Sequence, residues 1–213
     1  MTDQPLLSID VVPVRFTEER GMQLGLGVRL FEPFRGELAL PGVLLVGEER
    51  LAEAAYRALA AKVGLGLGEV RALVQVTARD NPERDPRGPT VSVSYLAVVA
   101  PDAVAPRAVW RDWVGGDPLP FDHDRIVAAA ADRLRVSVWQ ATPEARLLTR
   151  ALTGETFSTR RAARLTEAVT GVRPEPGNFN RMLRTAPDLA RCAGVEAAGR
   201  GRPAALWAWG QRR

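Results

Sequence analysis

The sequence has few of the residues that form covalent or metal-held frameworks. Its single cysteine, Cys192, excludes an intrachain disulfide. Its single histidine, His123, excludes zinc fingers and gives no support for Ser-His-Asp or Cys-His catalytic sets. We expect Cys192 to be a small core residue and His123 to have a structural role at the start of a helix.

Long apolar runs are also absent. The apolar stretch 91–100 is too short to cross a bilayer, and the acidic residues within positions 1–20 are unlike a signal peptide. Hydrophobic residues make up 46% of the 213 positions and charged residues 25%, which is typical of a globular protein with one large or two small domains. We therefore expect a soluble, cytoplasmic protein without a membrane partner.

Lysine is scarce, since Lys62 is the single lysine and every other basic residue is an arginine. The net charge of +4 divides unevenly along the chain. Residues 141–213 have 13 basic and 6 acidic side chains, whereas residues 1–140 have 16 basic and 19 acidic ones. A folded basic part joined to a mildly acidic part is typical of nucleic-acid-binding proteins, although a solvated basic surface accounts for the same balance.

The first 140 residues combine strand and helix patterns. Alternation of apolar and polar residues predicts strands at 5–16, 22–33, 70–77 and 90–99, and a further extended stretch at 37–46. Helical spacing predicts a helix over 49–63 that ends at Gly64, and another from the cap Asp122 to Leu134. This mixture predicts an α+β sandwich of helices and sheet.

The pattern changes after about residue 140. Helices are predicted at 143–152 and 159–170, and a third begins near Gly177. Strands at 189–197 and 204–210 follow, joined by the basic segment 199–203. Three short helices and a basic hairpin predict a winged helix-turn-helix domain. We therefore divide the chain into residues 1–139, including a linker helix at 122–135, and residues 140–213.

Residues 40–65 resemble a Nudix box, G-x5-E-x7-R-E-U-x-E-E-x-G-U, in which U is a bulky apolar residue. Alignment on Gly64 puts Glu49 at the first glutamate, Arg57 at the arginine and Val43 at the box glycine. The three other glutamates are replaced by Ala58, Ala61 and Lys62.

These replacements decide what the box is expected to do. Positions 58 and 62 are four residues apart and share a helical face, which here presents a methyl group and an ammonium group. Magnesium prefers carboxylate oxygens, so we expect a Nudix fold without a metal and without Nudix hydrolysis. Lys62 is either a counter-charge for a diphosphate or a solvated side chain.

Several further segments, in this order along the chain, resemble the Nudix-related transcriptional regulators of NAD metabolism over nearly its whole length. They are Arg84-Asp-Pro-Arg-Gly88, Phe121-Asp-His123, Phe157-Ser-Thr159, Gly177-Asn-Phe-Asn-Arg-Met-Leu183 and Gly201-Arg-Pro-Ala-Ala-Leu-Trp207. The resemblance implies an α+β protein with a Nudix-fold α/β/α sandwich followed by a winged helix-turn-helix domain. It implies a homodimeric repressor that binds operator DNA near NAD-biosynthesis genes and is released by ADP-ribose or a related nucleotide, with no cofactor. Other branches regulate sugar catabolism, which leaves that regulon as an alternative.

The resemblance also implies a ligand-binding surface beside the box helix. Arginine binds phosphate through its two-pronged guanidinium. The candidate ligand-binding residues are Lys62, Arg57, Arg79, Arg84 and Arg87. Ion pairs within the domain are the alternative for each loop arginine, and pairing with Glu49 is the alternative for Arg57.

The third C-terminal helix is the candidate for the DNA major groove. Phe179, Met182 and Leu183 have core spacing, which leaves Asn178 and Arg181 on one outward line. Asn180 and Arg184 lie on a second outward line. Arginine and asparagine recognise guanine and adenine through paired hydrogen bonds. The candidate phosphate-binding residues are Arg160, Arg161, Arg200 and Arg202.

Two other functions remain open at this point. A Nudix hydrolase could take its glutamates from outside the box, for example from Glu48 or Glu53. A DNA-binding module could use its N-terminal domain for dimerisation alone.

Overall fold

A computed structural model of the protein describes residues 4–196 and 204–210. The strands are β1 (Leu6–Thr17), β2 (Gly21–Val28), β3 (Leu38–Ala39), β4 (Gly42–Leu44), β5 (Val70–Arg79), β6 (Thr90–Val99), β7 (Ala108–Asp112), β8 (Thr156–Ser158), β9 (Leu189–Glu196) and β10 (Ala204–Trp209). The helices are α1 (Leu51–Val63), α2 (His123–Ser137), α3 (Pro143–Thr153), α4 (Thr159–Thr170) and α5 (Pro176–Thr185). Within the described residues, no helix has the length and apolar character needed to cross a membrane.

The N-terminal sheet has the strand order β3-β2-β1-β6-β5, with β4 paired to β1 and β7 paired to β2. Strands β1 and β6 are parallel, with Ile9 opposite Val93, and the other pairs are antiparallel. Alternate residues of β1 face opposite sides. Ile9 and Val11 pack against α1, and Val12 and Val14 pack on the side of α2, α3 and α4. The sheet is therefore covered by helices on both faces.

Apart from the unpredicted strand β8, the C-terminal elements have the order expected from the sequence, and α3 and α4 share a hydrophobic core with the sheet. Leu148 of α3 and Leu165 of α4 are buried in the same cluster as Leu24 and Leu96. A separate small core contains Phe179, Leu183 and Trp207, and a three-stranded sheet runs in the order β8-β10-β9. The boundary at residue 139 stays a prediction, since α3 and α4 pack against the sheet rather than against α5 alone.

Some elements differ from those predicted. Strand β2 ends at Val28, because the segment from Arg29 to Glu37 turns back with hydrogen bonds between these two backbones. The short strands β7 and β8 were missed, since each pairs with a strand distant in sequence and has too few residues for a periodic pattern. Asp122 stands at the start of α2 without a side-chain capping hydrogen bond. Its carboxylate binds arginines instead.

Candidate ligand pocket and nucleic-acid interface

A cavity of about 680 Å³ opens beside α1, at the edge where β1, β2 and the β3–β4 segment meet. Gly42 allows this close approach, because a Cβ atom there would overlap Oδ1 of Asp10. Packing therefore requires a glycine at position 42. The box alignment had placed the glycine position one residue later, at Val43. Val43 itself lines the cavity.

Asp10 forms the floor of the cavity and is buried. Its Oδ2 atom accepts hydrogen bonds from Ser92 Oγ at 2.6 Å, Ser8 Oγ at 3.2 Å and Arg84 Nη2 at 3.2 Å. No sequence motif pointed to Asp10, because its three partners come from strands β1 and β6 and from the loop between β5 and β6. The floor is thus a polar network inside the sheet edge.

Arg84 links this floor to the start of α2. Its side chain is only 3% exposed and lies 2.8 Å from Asp122 Oδ1 as well as 3.2 Å from Asp10 Oδ2. Arg79 donates to the other oxygen of Asp122 at 2.5 Å. Burial alone would raise the pKa of Asp122, but these hydrogen bonds hold it below its ordinary value. Arg79 does not line the cavity, whereas Arg84 lines it with its charge already paired.

His123 lies on the same floor. Its Nδ1 atom accepts the backbone N–H of Leu40 at 3.1 Å, so the proton of the neutral ring is on Nε2. Nε2 is 3.8 Å from Oδ1 of Asp10. Burial lowers the pKa of His123, against the opposing charge of Asp10, and favours the neutral ring. The structural role expected for this residue agrees with these contacts, and the residue also lines the cavity.

The helix α1 forms one wall of the cavity. Ala61 and Lys62 line it, whereas Ala58 is fully buried against the sheet. The prediction that positions 58 and 62 present one face to a ligand is therefore wrong for Ala58. Residues four apart differ by about 40° around a helix, and this offset separates the sheet side from the cavity side.

Arg57 lies on the same wall and is paired. It donates to Glu49 through Nε at 2.7 Å and through Nη2 at 2.6 Å, and also to the carbonyl of Leu44 at 2.8 Å. These hydrogen bonds raise the pKa of Arg57 and lower that of Glu49. The pair ties the loop before α1 to the helix, as one of the two sequence hypotheses proposed.

A magnesium site of the Nudix kind does not fit this donor set. Within the described residues, no group of three or more His, Cys, Asp or Glu side chains is placed to hold a metal ion. Glu49 is bound to Arg57, and Glu53 accepts the backbone N–H of Arg50 at 2.9 Å. Glu48 is exposed, and neither it nor Glu53 lines the cavity.

Sequence reasoning missed four cavity residues beyond Asp10. Arg29 and Phe121 face each other, with the Arg29 guanidinium carbon 4.7 Å from the centre of the Phe121 ring. Asp85 binds Arg87 through both oxygens, at 2.9 and 2.6 Å. Arg107 donates to the carbonyl of Ala60 at the end of α1. Arg29 lay inside the strand predicted over 22–33, so no sequence signal marked it; the structure ends β2 at Val28.

The outward face of α5 has the arrangement predicted from spacing. Phe179 and Leu183 are buried, and Arg181 Nη2 donates to Asn178 Oδ1 at 2.8 Å, which places these two residues on one exposed line. Asn180 Nδ2 donates to the carbonyl of Pro176 at 2.8 Å, and Arg184 is exposed. The helix begins at Pro176, where Glu175 accepts the N–H groups of Gly177 and Asn178.

The arginines at the start of α4 are placed differently from one another. Arg161 donates to the carbonyls of Leu152 and Thr153 at 3.0 Å each, and its guanidinium lies 4.9 Å from the ring centre of Phe16. Its assignment to DNA phosphates is therefore corrected to a packing role between α3, α4 and β1. Arg160 is exposed, about 4.0 Å from Glu18. Arg200 and Arg202 lie outside the described residues.

Known proteins resemble this chain over part or nearly all of its length. No protein-family model matches the chain. An ADP-ribose pyrophosphatase of Methanocaldococcus jannaschii is 32% identical over 100 residues, which are 45% of this chain and 57% of the relative. The chain therefore spans little more than half the length of that relative.

Solved structures resemble the chain over more of its length. Shewanella oneidensis NrtR complexed with a 27mer DNA has a TM-score of 0.76 and 25% identity, covering 95% of this chain and 93% of that one. The Nudix domain of the same protein complexed with ADP ribose has a TM-score of 0.54 and 27% identity, covering 62% of this chain and 90% of that one. The fold predicted from the sequence is confirmed, and the predicted resemblance to Nudix-related regulators is confirmed by the likeness to NrtR over 95% of this chain.

Proposed function

We propose that the protein is a DNA-binding transcriptional regulator whose Nudix domain binds ADP-ribose or a related nucleotide without hydrolysing it. The observation that carries the proposal is the cavity. Its wall and floor hold cationic side chains where a Nudix enzyme needs carboxylates to hold metal. A cavity that is lined by more cationic than anionic side chains, with no described group of three metal-binding side chains, is suited to binding a diphosphate and poorly suited to cleaving it.

The C-terminal part supports the DNA-binding role in the proposal. Helix α5 presents asparagine and arginine on an exposed face, and these are the side chains that recognise bases in the major groove. Helices α3 and α4 share a core with the sheet, so a change in the Nudix domain has a packed route to the DNA-binding helices. The NrtR protein that resembles this chain over its length is complexed with DNA in one structure and with ADP ribose in another.

The finer parts of the proposal follow the resemblance. They are a cytoplasmic homodimer, repression of NAD-biosynthesis genes, and release of the operator when the nucleotide binds. Regulation of sugar catabolism is the alternative regulon. A dimer would match the two-fold symmetry of an operator with two half-sites.

One experiment tests the central proposal. The protein is titrated onto DNA from its own upstream region and from neighbouring promoters in a gel-shift assay, with and without ADP-ribose. We expect a specific shift that ADP-ribose weakens, because each ligand favours a different state of the same molecule. Regulation through this cavity would be contradicted if the protein bound none of these duplexes, or if ADP-ribose left its DNA binding unchanged.

A hydrolase is the second candidate, favoured by the identity to an ADP-ribose pyrophosphatase. Incubation with ADP-ribose or NADH and magnesium, followed by liquid chromatography, separates the two. We expect no release of AMP, because three of the four box glutamates are replaced. Turnover near the usual enzymatic median of about 10 per second would establish the hydrolase. A thermal shift with ADP-ribose that is independent of magnesium would support sensing.

A further inference from the structure

Phe121 lines the cavity just before α2 and stands in an unusual backbone conformation. Its φ angle is +60°, and that of the neighbouring Phe34 is +65°. Residues other than glycine rarely adopt this left-handed conformation, because it is strained. The two rings meet edge to face with centres 4.9 Å apart, and His123 lies 5.2 Å from Phe121. The fold thus holds an aromatic ring at a fixed place in the cavity despite the backbone cost.

Two guanidinium groups approach this ring. Arg29 lies 4.7 Å and Arg87 5.8 Å from the centre of the Phe121 ring. We call these three residues the Arg29–Phe121–Arg87 cluster, and all three line the cavity. Guanidinium groups stack on aromatic faces, which leaves their N–H edges directed sideways for a ligand.

The charge of Arg29 is not neutralised by a direct partner. Its Nε donates to the carbonyl of Pro33 at 2.7 Å and its Nη2 to that of Phe31 at 3.3 Å. Across residues 4–196 and 204–210, no carboxylate lies within ion-pair distance of Arg29 and no acceptor lies at its Nη1. By contrast, Arg87 and Arg84 each pair with an aspartate. Arg29 therefore has donors and charge left for a ligand, and so does Arg107, whose Nη2 is bound to carbonyls at the end of α1.

The electrostatics of the cluster favour an added anion. Burial and, next, the charge of Arg87 lower the pKa of Arg29, although nearby Asp85 opposes this shift. Two like charges held on one ring repel each other, and an anion between them would relieve that repulsion. A phosphate group also matches the paired donors of a guanidinium edge.

The α1 wall of the cavity is less suited to an anion. Lys62 is in the last turn of α1, where the helix dipole places partial negative charge. Arg107 already donates to the carbonyls of Ala60 and Ala61 at that end. An anion near Lys62 would therefore lie close to the negative end of the helix.

We propose that the Arg29–Phe121–Arg87 cluster is the phosphate-binding subsite of the cavity, with Arg29 as its main donor, rather than Lys62. The inference rests on the proposed function, since it takes a nucleoside diphosphate as the ligand. It places the phosphates of the ligand at the β2–β3 segment and the start of α2, on the side of the polar floor formed by Asp10 and Arg84.

Calorimetry with matched variants tests the proposal. The proteins are wild type, Arg29→Gln, Arg29→Lys and Lys62→Gln, and the control is Arg35→Gln, an exposed arginine of the same segment that does not line the cavity. The probes are ADP-ribose, ribose 5-phosphate and adenosine. We expect Arg29→Gln to weaken both phosphate-containing probes on the order of ten- to a hundredfold, the usual value of a charge-assisted hydrogen bond, without changing adenosine binding.

The variants separate charge from geometry. Arg29→Lys keeps the charge but loses the two-pronged edge, so its loss should fall between those of Arg35→Gln and Arg29→Gln. If Arg29→Gln does not fold by thermal melting, Arg29→Lys gives the same answer. Equal ADP-ribose binding by the Arg29 variants and Arg35→Gln would overturn the subsite, as would a larger loss for Lys62→Gln.

Failure of the proposed function gives a different pattern. A wild-type protein that binds ribose 5-phosphate through Arg29 but not ADP-ribose would keep the subsite and refute ADP-ribose as the effector. A wild-type protein that binds no phosphate-containing probe would overturn the subsite as well. A protein that binds ADP-ribose through Arg29 but does not shift DNA would keep the subsite and refute the regulator.

Discussion

The arginines around the cavity and the arginines on α5 have the same side chain in opposite environments. Around the cavity, Arg84 is 3% exposed and lies within ion-pair distance of two aspartates, and Arg87 binds Asp85 through two hydrogen bonds. On α5, Arg181 is exposed and donates to a neutral amide, that of Asn178. The N-terminal domain has an excess of acidic residues and the C-terminal part an excess of basic ones.

This difference teaches that an arginine's role depends on what neutralises it. A buried guanidinium paired with carboxylates supports the fold, because removing it leaves charges buried without a partner. An exposed guanidinium without a carboxylate is available to phosphates or bases. Arg29 and Arg107 differ from the other cavity arginines, since the hydrogen bonds of both go to carbonyl groups.

The largest effect is expected for Arg84→Met. The change leaves Asp10 and Asp122 buried with fewer donors, so the free energy of unfolding should fall by about 3–5 kcal/mol in a urea titration. The control is Arg133→Met, which breaks an exposed pair with Glu144 and should cost about 0–1 kcal/mol. Equal losses for the two variants would show that the buried pair has no special part in stability.

The next effect is expected on DNA. Arg181→Ala should cost about 1–3 kcal/mol on the operator and relax the preference at one base position. Arg161→Ala should lower the melting temperature, because Arg161 holds carbonyls of α3, and should leave the salt dependence of DNA binding unchanged. Titrations of operator and scrambled duplexes at several salt concentrations measure both. A loss of affinity for Arg181→Ala that is the same on both duplexes would make α5 a backbone contact.

A smaller effect concerns pH. The pKa of His123 in the fold is below the value of 6.5 for an unperturbed histidine, so the unfolded chain binds the proton more tightly. Stability should therefore fall as the pH drops below about 6.5, by at most about 1.4 kcal/mol per pH unit. Because the chain has one histidine, His123→Asn, whose side-chain oxygen can still accept the Leu40 N–H, should remove this slope. Urea titrations between pH 5 and 7 measure it, and an unchanged slope in the variant would assign it to other groups.

The smallest effect is expected for Lys62→Glu. This change puts a negative charge on the exposed cavity wall and should weaken ADP-ribose binding a few-fold. Arg71→Glu is the control, since Arg71 lies on β5 and does not line the cavity. Calorimetry that gives the same loss for both would make Lys62 an ordinary surface charge.

Much of the fold was predictable because its signals are local. Gly64 ends α1 in the left-handed conformation that glycine favours, and Ser158 caps α4 by accepting the N–H of Arg161. Phe179 and Leu183 face the core as their spacing required. The candidate site was predicted only in part. Its helix wall follows from the Nudix-like box, whereas Asp10 and Arg29 belong to no motif, and Phe121 lies in a motif that did not mark it as a cavity residue.

The sequence by itself determined the order of most elements, the replacement of three box glutamates and the exposed position of Asn178 and Arg181 on α5. Each of these depends on residues a few positions apart, where helix and strand geometry dictates which side chains are neighbours. Only the tertiary structure decided which charges meet. Arg84 pairs with Asp10, which is 74 positions away in the sequence. Arg161 is not a phosphate-binding candidate, because its guanidinium binds carbonyls at the end of α3. The length and flexibility of arginine allow many partners, and packing selects among them.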